Sequence, residues 1–441
     1  MNEYKYQKYE LGKFIKIKHG YAFKSNYFFE SGKYIVLTPG NFFESGGFRE
    51  RPGKDRFYIG EIPKDFILDK NDLIVAMTEQ GEGLLGSAAL IPSSDKYLHN
   101  QRLGLISFKL KSNLEKKYLY YLFNTNLVRQ QIRGSSSGTK VRHTSPERIY
   151  KVQIEIPNFD VQQKIAAILS AYDDLIENNN CRIAILEKMA EEIYREWFVR
   201  LRFPGHEQVK FNKGIPEGWE IKTVEQLVRD KIIEKPLDGN HGEIHPKGDD
   251  FVASGIPFIM ASNIKDGYID LESCNFIKQE QADSLRKGFA REGDVLLSHK
   301  ATIGRTAIVG KLNTPYLILS PQVTYYRIKN HKILNNKYLK YFFEQLFYQE
   351  LLNLWAGSGG TRPYIGITAQ LKLPILVPSP LVIEKFHSQV SCLFDAKNAL
   401  IVKNIKLKQT RDRLLTRLIS GKLSVEDLDI QFPPSMTEEL E

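Results

Sequence analysis

The stretch IAAILSAYDDLIENNNCRIAILEKMAEEIYREW, Ile165 to Trp197, decides how this chain folds. Its apolar residues recur in alternating steps of four and three at Ile165, Leu169, Tyr172 and Ile176, and again at Ile183, Leu186, Ala190, Ile193 and Trp197. That period describes a helix with one narrow apolar seam, as in a coiled coil. Asn179 interrupts the seam and is a candidate register-setting residue, since a polar side chain there costs stability but disfavours slipped pairings. A second seam follows at Phe386, Leu393, Leu400, Leu407 and Leu414, each 221 positions after Ile165, Tyr172, Asn179, Leu186 and Ile193. The row between them, Lys397, Asn404 and Arg411, is less apolar, which makes that edge of the second helix the weaker one.

An offset that stays near 221 runs through the rest of the chain. KYLYYLF at Lys117 to Phe123 returns as KYLKYFF at Lys337 to Phe343, and GSSSGTK at Gly134 to Lys140 returns as GSGGTR at Gly357 to Arg362. Asp72 answers Asp294, Gln101 answers Gln322 and Pro157 answers Pro378. A period of this length is a repeated domain, since solenoid units span only about 20 to 50 residues. Within each copy, short apolar runs between Gly and Pro read as strands: KYIVLTPGN, NDLIVAM and LGLISFKL, then IPFIMASN, GDVLLSH and VTYYRI. One helix stands out per copy, Leu114 to Ile132 and Asn336 to Leu354.

The fold class that follows is α+β: two tandem α+β domains separated by two long helices that pair as an antiparallel coiled coil, with approximate two-fold symmetry. The expected boundaries are residues 1–157 for the first domain, 158–203 for the first helix, 204–378 for the second domain, 379–421 for the second helix and 422–441 for a tail. A helix from Ile165 to Trp197 is about 50 Å long at 1.5 Å per residue. Two domains held that far apart suit two DNA half-sites a turn or more apart, a turn being about 34 to 36 Å.

Composition is that of a folded protein, with 42% hydrophobic and 26% charged residues in 441. There is no run of 18 apolar residues and no apolar stretch behind the charged start, so neither a membrane span nor a signal peptide is expected, and the protein should be cytoplasmic. Cys181, Cys274 and Cys392 form no CxxC pair, so reduced thiols and no zinc are expected. The net charge of +10 suits a polyanion partner, although many basic proteins never bind one.

Catalytic chemistry is not visible. GEGLLG, Gly81 to Gly86, fits a dinucleotide fingerprint, but SAALI after it reads as a strand where a helix is required, which favours a tight hairpin. There is no GxxxxGK[ST] loop, no NPPF or NPPY motif and no nuclease constellation. Asp173 and Asp174 read as a solvated helix face. The best contact candidate is the loop after each domain's helix: Arg129, Arg133, Lys140, Arg142, Arg148 and Lys151 lie near one acid, Glu147, around a Gly/Ser run that lets backbone approach a phosphate. A flexible surface loop that tolerates charge explains the same pattern. Gln101 and Gln322, in strand-like segments, are candidates for reading adenine, with buried structural glutamines as the alternative. Tyr118, Tyr120, Tyr121 and Tyr341 read as core.

These pieces in this order resemble the specificity subunit of type I restriction-modification systems over nearly the whole chain. The resemblance is carried by the two domain-then-helix units, GIPEGWE at Gly214 to Glu220, YLYYLF before a Gly-rich GT loop, EIYREWFVRLRFPG closing the first helix and LLTRLISGKL closing the second. It implies a non-catalytic DNA-recognition subunit whose two target-recognition domains each read half of a bipartite site, with the helices setting the unread gap. It also implies two modification subunits, which carry S-adenosylmethionine and methylate adenine, and two restriction subunits that use ATP and Mg. No cofactor is expected in this chain. Partner docking is expected on exposed helix faces and at Trp197 and Phe198, with packing against the second domain as the alternative. The resemblance carries over Gly138, Thr139, Lys140 and Arg142 in the first loop and Gly360, Thr361, Arg362 and Tyr364 in the second; there an inserted residue and Pro363 in place of Val141 put an identical role in doubt. Two further readings stay open: a related two-subunit system whose partner fuses cleavage and methylation, and a coiled-coil scaffold that binds no DNA.

Overall fold

The computed structural model describes residues 6–51, 53–79, 83–110, 112–265, 267–357 and 363–437. The chain divides into two compact units, one built from residues 1–179 and 403–441 and the other from 180–402. Both boundaries fall inside the long helices, Phe159–Tyr194 and Pro380–Ile419, so each unit owns a segment of both.

The first unit holds a four-stranded sheet in the order Ile15–His19, Leu103–Phe108, Leu73–Ala76, Ala88–Leu90, all antiparallel. Leu73, Ile74, Val75 and Ala76 are all buried, so this strand is an unbroken apolar run covered on both faces. A five-stranded sheet beside it runs Phe28–Phe29, Phe57–Tyr58, Tyr34–Val36, Tyr97–Leu98, Ile67–Leu68, with one parallel pairing, Tyr97 to Ile35. The second unit repeats this plan. Its four-stranded sheet runs Leu237–Asp238, Val323–Tyr326, Val295–Lys300, Thr302–Ile308, and its five-stranded sheet also has one parallel pairing, Phe258 to Ile318. In each unit a strand near the start pairs with the strand before a long helix, Gln7–Glu10 with Gln153–Ile156 and Glu220–Thr223 with Pro374–Val377. The repeat is therefore one of topology as well as of sequence.

The helix expected over 114–132 is two helices, Lys116–Phe123 and Asn126–Gly134. Asn124 breaks it by turning its amide to the sheet, where it accepts from the Ala88 N–H at 3.0 Å and donates to the Ala88 carbonyl at 3.1 Å. Thr125 then caps the next helix through the Val128 N–H. The helix expected over 336–354 breaks at the matching place, into Asn336–Glu344 and Leu346–Ala356, because Gln345 is extended there.

In the first unit the long helices run antiparallel, with Asp173 beside Arg411 and Asn179 beside Asn404. Ile165, Leu169, Ile176 and Asn179 are buried, whereas Tyr172, Leu407 and Leu414 are half-buried. In the second unit Glu187 lies beside Lys397, and the rings of Trp197 and Phe386 are 6.0 Å apart, again antiparallel. Phe386, Val390 and Leu400 are buried there; Ile183, Leu186, Ile193 and Leu393 are half-buried. The row read as the weak edge is in fact the deeper one. Lys397 and Asn404 are only 5% and 6% exposed, because each meets a polar partner from the first helix.

Two more expectations change. Asp173 is not a solvated residue: it accepts from the Tyr121 hydroxyl at 2.6 Å and from the Arg411 guanidinium, while Asp174 accepts from the Ser435 N–H at 3.3 Å. Phe198 is buried against Trp219, Tyr338 and Phe386, and Trp197 packs on Phe386, so both aromatics belong to the second unit's core. Tyr118, Tyr121 and Tyr341 are core residues. The tail is held to the first unit: Val425 is buried, Lys164 donates to the Glu426 carbonyl at 2.6 Å, and Lys117 donates to the Ser435 carbonyl.

Candidate nucleic-acid interface

In the first unit the GT loop is a tight hairpin. Ser137 and His143 exchange backbone hydrogen bonds of 3.0 and 2.8 Å, and Arg142–His143 pairs with Thr78–Glu79. Gly138 has φ 96°, and a Cβ there would sit 2.0 Å from the Val141 carbonyl oxygen, so only glycine fits the turn. The turn lifts Thr139 and Lys140 into solvent, whereas Arg142 is half-buried in its strand.

The cations around this loop divide by task. Arg129 donates to the carbonyls of Leu85 and Glu44 at 3.0 and 3.1 Å, tying the helix to the sheet. Arg148 donates to Ser137 Oγ at 3.0 Å and supports the base of the hairpin. Arg133 faces Glu79, a buried carboxylate that also accepts the N–H groups of Leu84 and Leu85 at 3.0 and 2.9 Å. Lys140 and Lys151 are the exposed members of the group. Half of the basic cluster is thus structural, which the charge count alone does not reveal. His143, whose Nδ1 lies 3.1 Å from the Thr78 hydroxyl, is exposed at the hairpin's foot and escaped the sequence reading because a single His in a basic loop carries no spacing signal.

In the second unit Gly360, Thr361 and Arg362 lie outside the described residues. Tyr364 is 43% exposed and forms a bridge to Lys300, whose Nζ sits 5.6 Å from the Tyr364 ring centroid. Behind the ring, 5.5 Å away, lies the imidazole of His299. His299 is fully buried, with Nδ1 3.0 Å from the Ile365 carbonyl, and burial pushes its pKa down to about 4. Asp238 Oδ2 is 4.0 Å from His299 Nε2. Burial works against ionisation of Asp238, but hydrogen bonds from Lys287 and His241 outweigh it and hold the carboxyl below its usual range. A Lys over an exposed Tyr, backed by a neutral His, offers a cation and an aromatic face together, which suits phosphate and base contact. Lys300 ends a strand of the four-stranded sheet, Val295–Lys300, and precedes Ala301 at φ 65°, a tip that sequence periodicity alone does not mark.

Gln101 and Gln322 are neither buried nor in strands. Each occupies a turn just before a central strand, Leu103–Phe108 and Val323–Tyr326; Gln101 is exposed and Gln322 half-buried. The Gln101 N–H donates to the Tyr21 carbonyl and the Gln322 carbonyl accepts from the His299 N–H, so backbone hydrogen bonds fix the turns. Of the GEGLLG run, Gly81 lies outside the described residues; Ala88–Leu90 after it is a strand paired with Leu73–Val75, so no helix N-terminus is present to take a pyrophosphate. Among the described residues no group of His, Cys, Asp and Glu has the arrangement of a metal site, and no helix is long and apolar enough to cross a membrane.

Comparison with known proteins identifies the family. The profile of the family described as Type I restriction modification DNA specificity domain matches twice, over residues 3–188 and 216–407. The chain is 29% identical over 327 residues to the type I restriction enzyme MjaIX specificity subunit of Methanocaldococcus jannaschii, covering 72% of this chain and 71% of that one. It is 23% identical over 393 residues to the MjaVIII specificity subunit of the same organism, covering 86% and 85%. The crystal structure of the S subunit of a type I restriction-modification system from M. genitalium shares the fold, with TM-score 0.54 and 15% identity over 95% of this chain and 97% of that one.

Proposed function

Because this chain belongs to the type I restriction-modification DNA specificity family and is a non-catalytic, sequence-recognising subunit, we propose that each unit reads one half of a bipartite DNA site. The observation that carries this reading is the repeat itself. Two units of one topology present different chemistry at matching places: Arg142 paired with Glu79 in one, and Tyr364 paired with Lys300 in the other. Equal frames with unequal tips suit two different sequences read in one way.

In this reading, Lys140 and Lys300 contact phosphates and set orientation, while Gln101, Gln322, Arg142 and Tyr364 face base edges. Gly138 and Thr139, with Gly360, Thr361 and Arg362, let backbone approach the duplex. The helices set the unread gap and offer their exposed faces, such as Ile185 and Met189, to two modification subunits. Those partners supply S-adenosylmethionine and methylate adenine; two restriction subunits supply the ATP- and Mg-dependent steps.

The test is long-read mapping of modified bases in cells carrying the modification subunit, with and without this chain. A split motif methylated on both strands only when the chain is present is the expected result. No change, with the partner shown to be bound, overturns the reading. Exchanging residues 1–157 for the corresponding domain of another family member should alter one half-motif and leave the other.

A further inference from the structure

Three polar layers cross the paired helices, and the two charged ones are asymmetric. The first long helix contributes Asp173, Asn179 and Glu187; the second contributes Arg411, Asn404 and Lys397. Asn179 is fully buried and donates to Asn404 Oδ1 at 2.8 Å, and Asn404 Nδ2 is 3.5 Å from the Ile176 carbonyl. Glu187 binds Lys397 at 2.6 Å and also Lys340, which is 1% exposed. Of these six residues, both carboxylates come from the first long helix and both cations from the second.

We propose that these six residues fix both the partner and the alignment of the long helices, admitting one pairing and excluding its close competitors. Shifting one helix by seven residues keeps the apolar rows of the two helices in register, so contact between their seams alone barely resists it. In one direction that shift sets Glu187 against Val390 and Arg411 against Ala166. In the other it sets Asp173 against Leu418 and Lys397 against Tyr194. Either way two charges face apolar side chains, which a buried seam does not tolerate. Pairing with the like helix of a second copy fails for the same reason. By the 221-residue correspondence, Arg411, Asn404 and Lys397 would be replaced by Ala190, Ile183 and Ile176, leaving Asp173, Asn179 and Glu187 without polar partners on the facing helix. The six side chains are positioning residues, and the consequence for the DNA gap rests on the ruler reading above.

Disulfide trapping in the full chain tests this, with Cys181 and Cys392 changed to Ser. The pair Ile183→Cys with Leu400→Cys lies face to face in the observed alignment, and Ile183→Cys with Leu393→Cys does so only after a seven-residue shift. The expected result is near-complete cross-linking of the first pair and at least tenfold less of the second, with the chain monomeric. Changing all six polar residues to Leu should raise the second cross-link at least tenfold or produce cross-linked dimers. Retention of the first cross-link alone, in a monomer, overturns the proposal. If the six-fold variant does not fold, Arg411→Asp should raise the second cross-link and Asp173→Arg added to it should restore the first; failure to restore overturns the proposal equally. An altered alignment with an unaltered methylation gap would sink the ruler reading and leave this one standing.

Discussion

The hydroxyl of Tyr121 donates to the carboxylate of Asp173 at 2.6 Å, and in the other unit the hydroxyl of Tyr341 donates to Glu187 at 3.0 Å. Each tyrosine belongs to the repeated KYLYYLF or KYLKYFF helix, and each carboxylate also holds a cation of the second long helix. Both α+β cores are thus bolted to the helices by a tyrosine, an acid and a base. Burial alone would protonate Glu187, but the ammonium groups of Lys340 and Lys397 outweigh it and keep the carboxyl below its usual range.

Tyr121→Phe should therefore destabilise the first unit by about 1.5–3 kcal/mol, the range for a hydrogen bond to a charged acceptor. Arg411→Ala should cost at least as much, since it leaves Asp173 half-buried without its cation. Because the three groups share one network, the double variant should lose less than the two single losses combined. Urea unfolding of the four proteins checks this; strict additivity would show that the groups act independently.

Acid should weaken the protein through two buried histidines. His99 and His299 are fully buried, and burial pushes both pKa values down to about 4, against about 6.5 in an unfolded chain. Between those values the unfolded state binds the extra protons, so stability is complete above about pH 6.5 and falls as pH drops toward 4. Thermal melts across that window should show the decline, and His99→Gln with His299→Gln should flatten it. A melting temperature indifferent to pH from 7 to 4.5 would contradict the burial.

Gly138→Ala should leave the core intact and damage DNA binding. The left-handed φ and the 2.0 Å approach of a Cβ to the Val141 carbonyl oxygen force the hairpin open, while Thr139 and Lys140 at its tip are exposed. The expected picture is a melting temperature within a few degrees of the parent and at least tenfold weaker binding to a cognate duplex.

Lys140→Ala should weaken binding to all duplexes alike and reduce the slope of log affinity against log salt by about 0.9, as for one lost phosphate contact. Tyr364→Ala should instead change discrimination within the second half-motif. Titrations at several salt concentrations on duplexes altered in one half-site separate the two behaviours.

Much of this was legible in the residues themselves. The period of Ile165 to Trp197 and its echo 221 residues later marked the long helices, since burying a seam leaves a trace at every turn. What failed to show was pairing. Lys397 and Asn404 looked like a weak edge because their partners, Glu187 and Asn179, lie over 200 residues away in sequence. The helix breaks at Asn124 and Gln345 were hidden likewise, because neither residue disrupts the apolar period. At the interface, Gly138 announced its turn, but whether an arginine holds a carbonyl, as Arg129 does, or faces solvent depends on the sheet opposite.

The first unit's core is completed by Leu418, Ile419 and Val425, residues that leave the ribosome after the whole of the second unit. Synthesis order and folding order are therefore inverted: residues 180–402 can close on themselves while the earlier part of the chain still exposes Tyr118, Leu169 and their neighbours. A nascent chain spends that interval with its oldest segment unfinished, open to chaperones and proteases. A premature stop near residue 403 would strike hardest at the part of the protein made first.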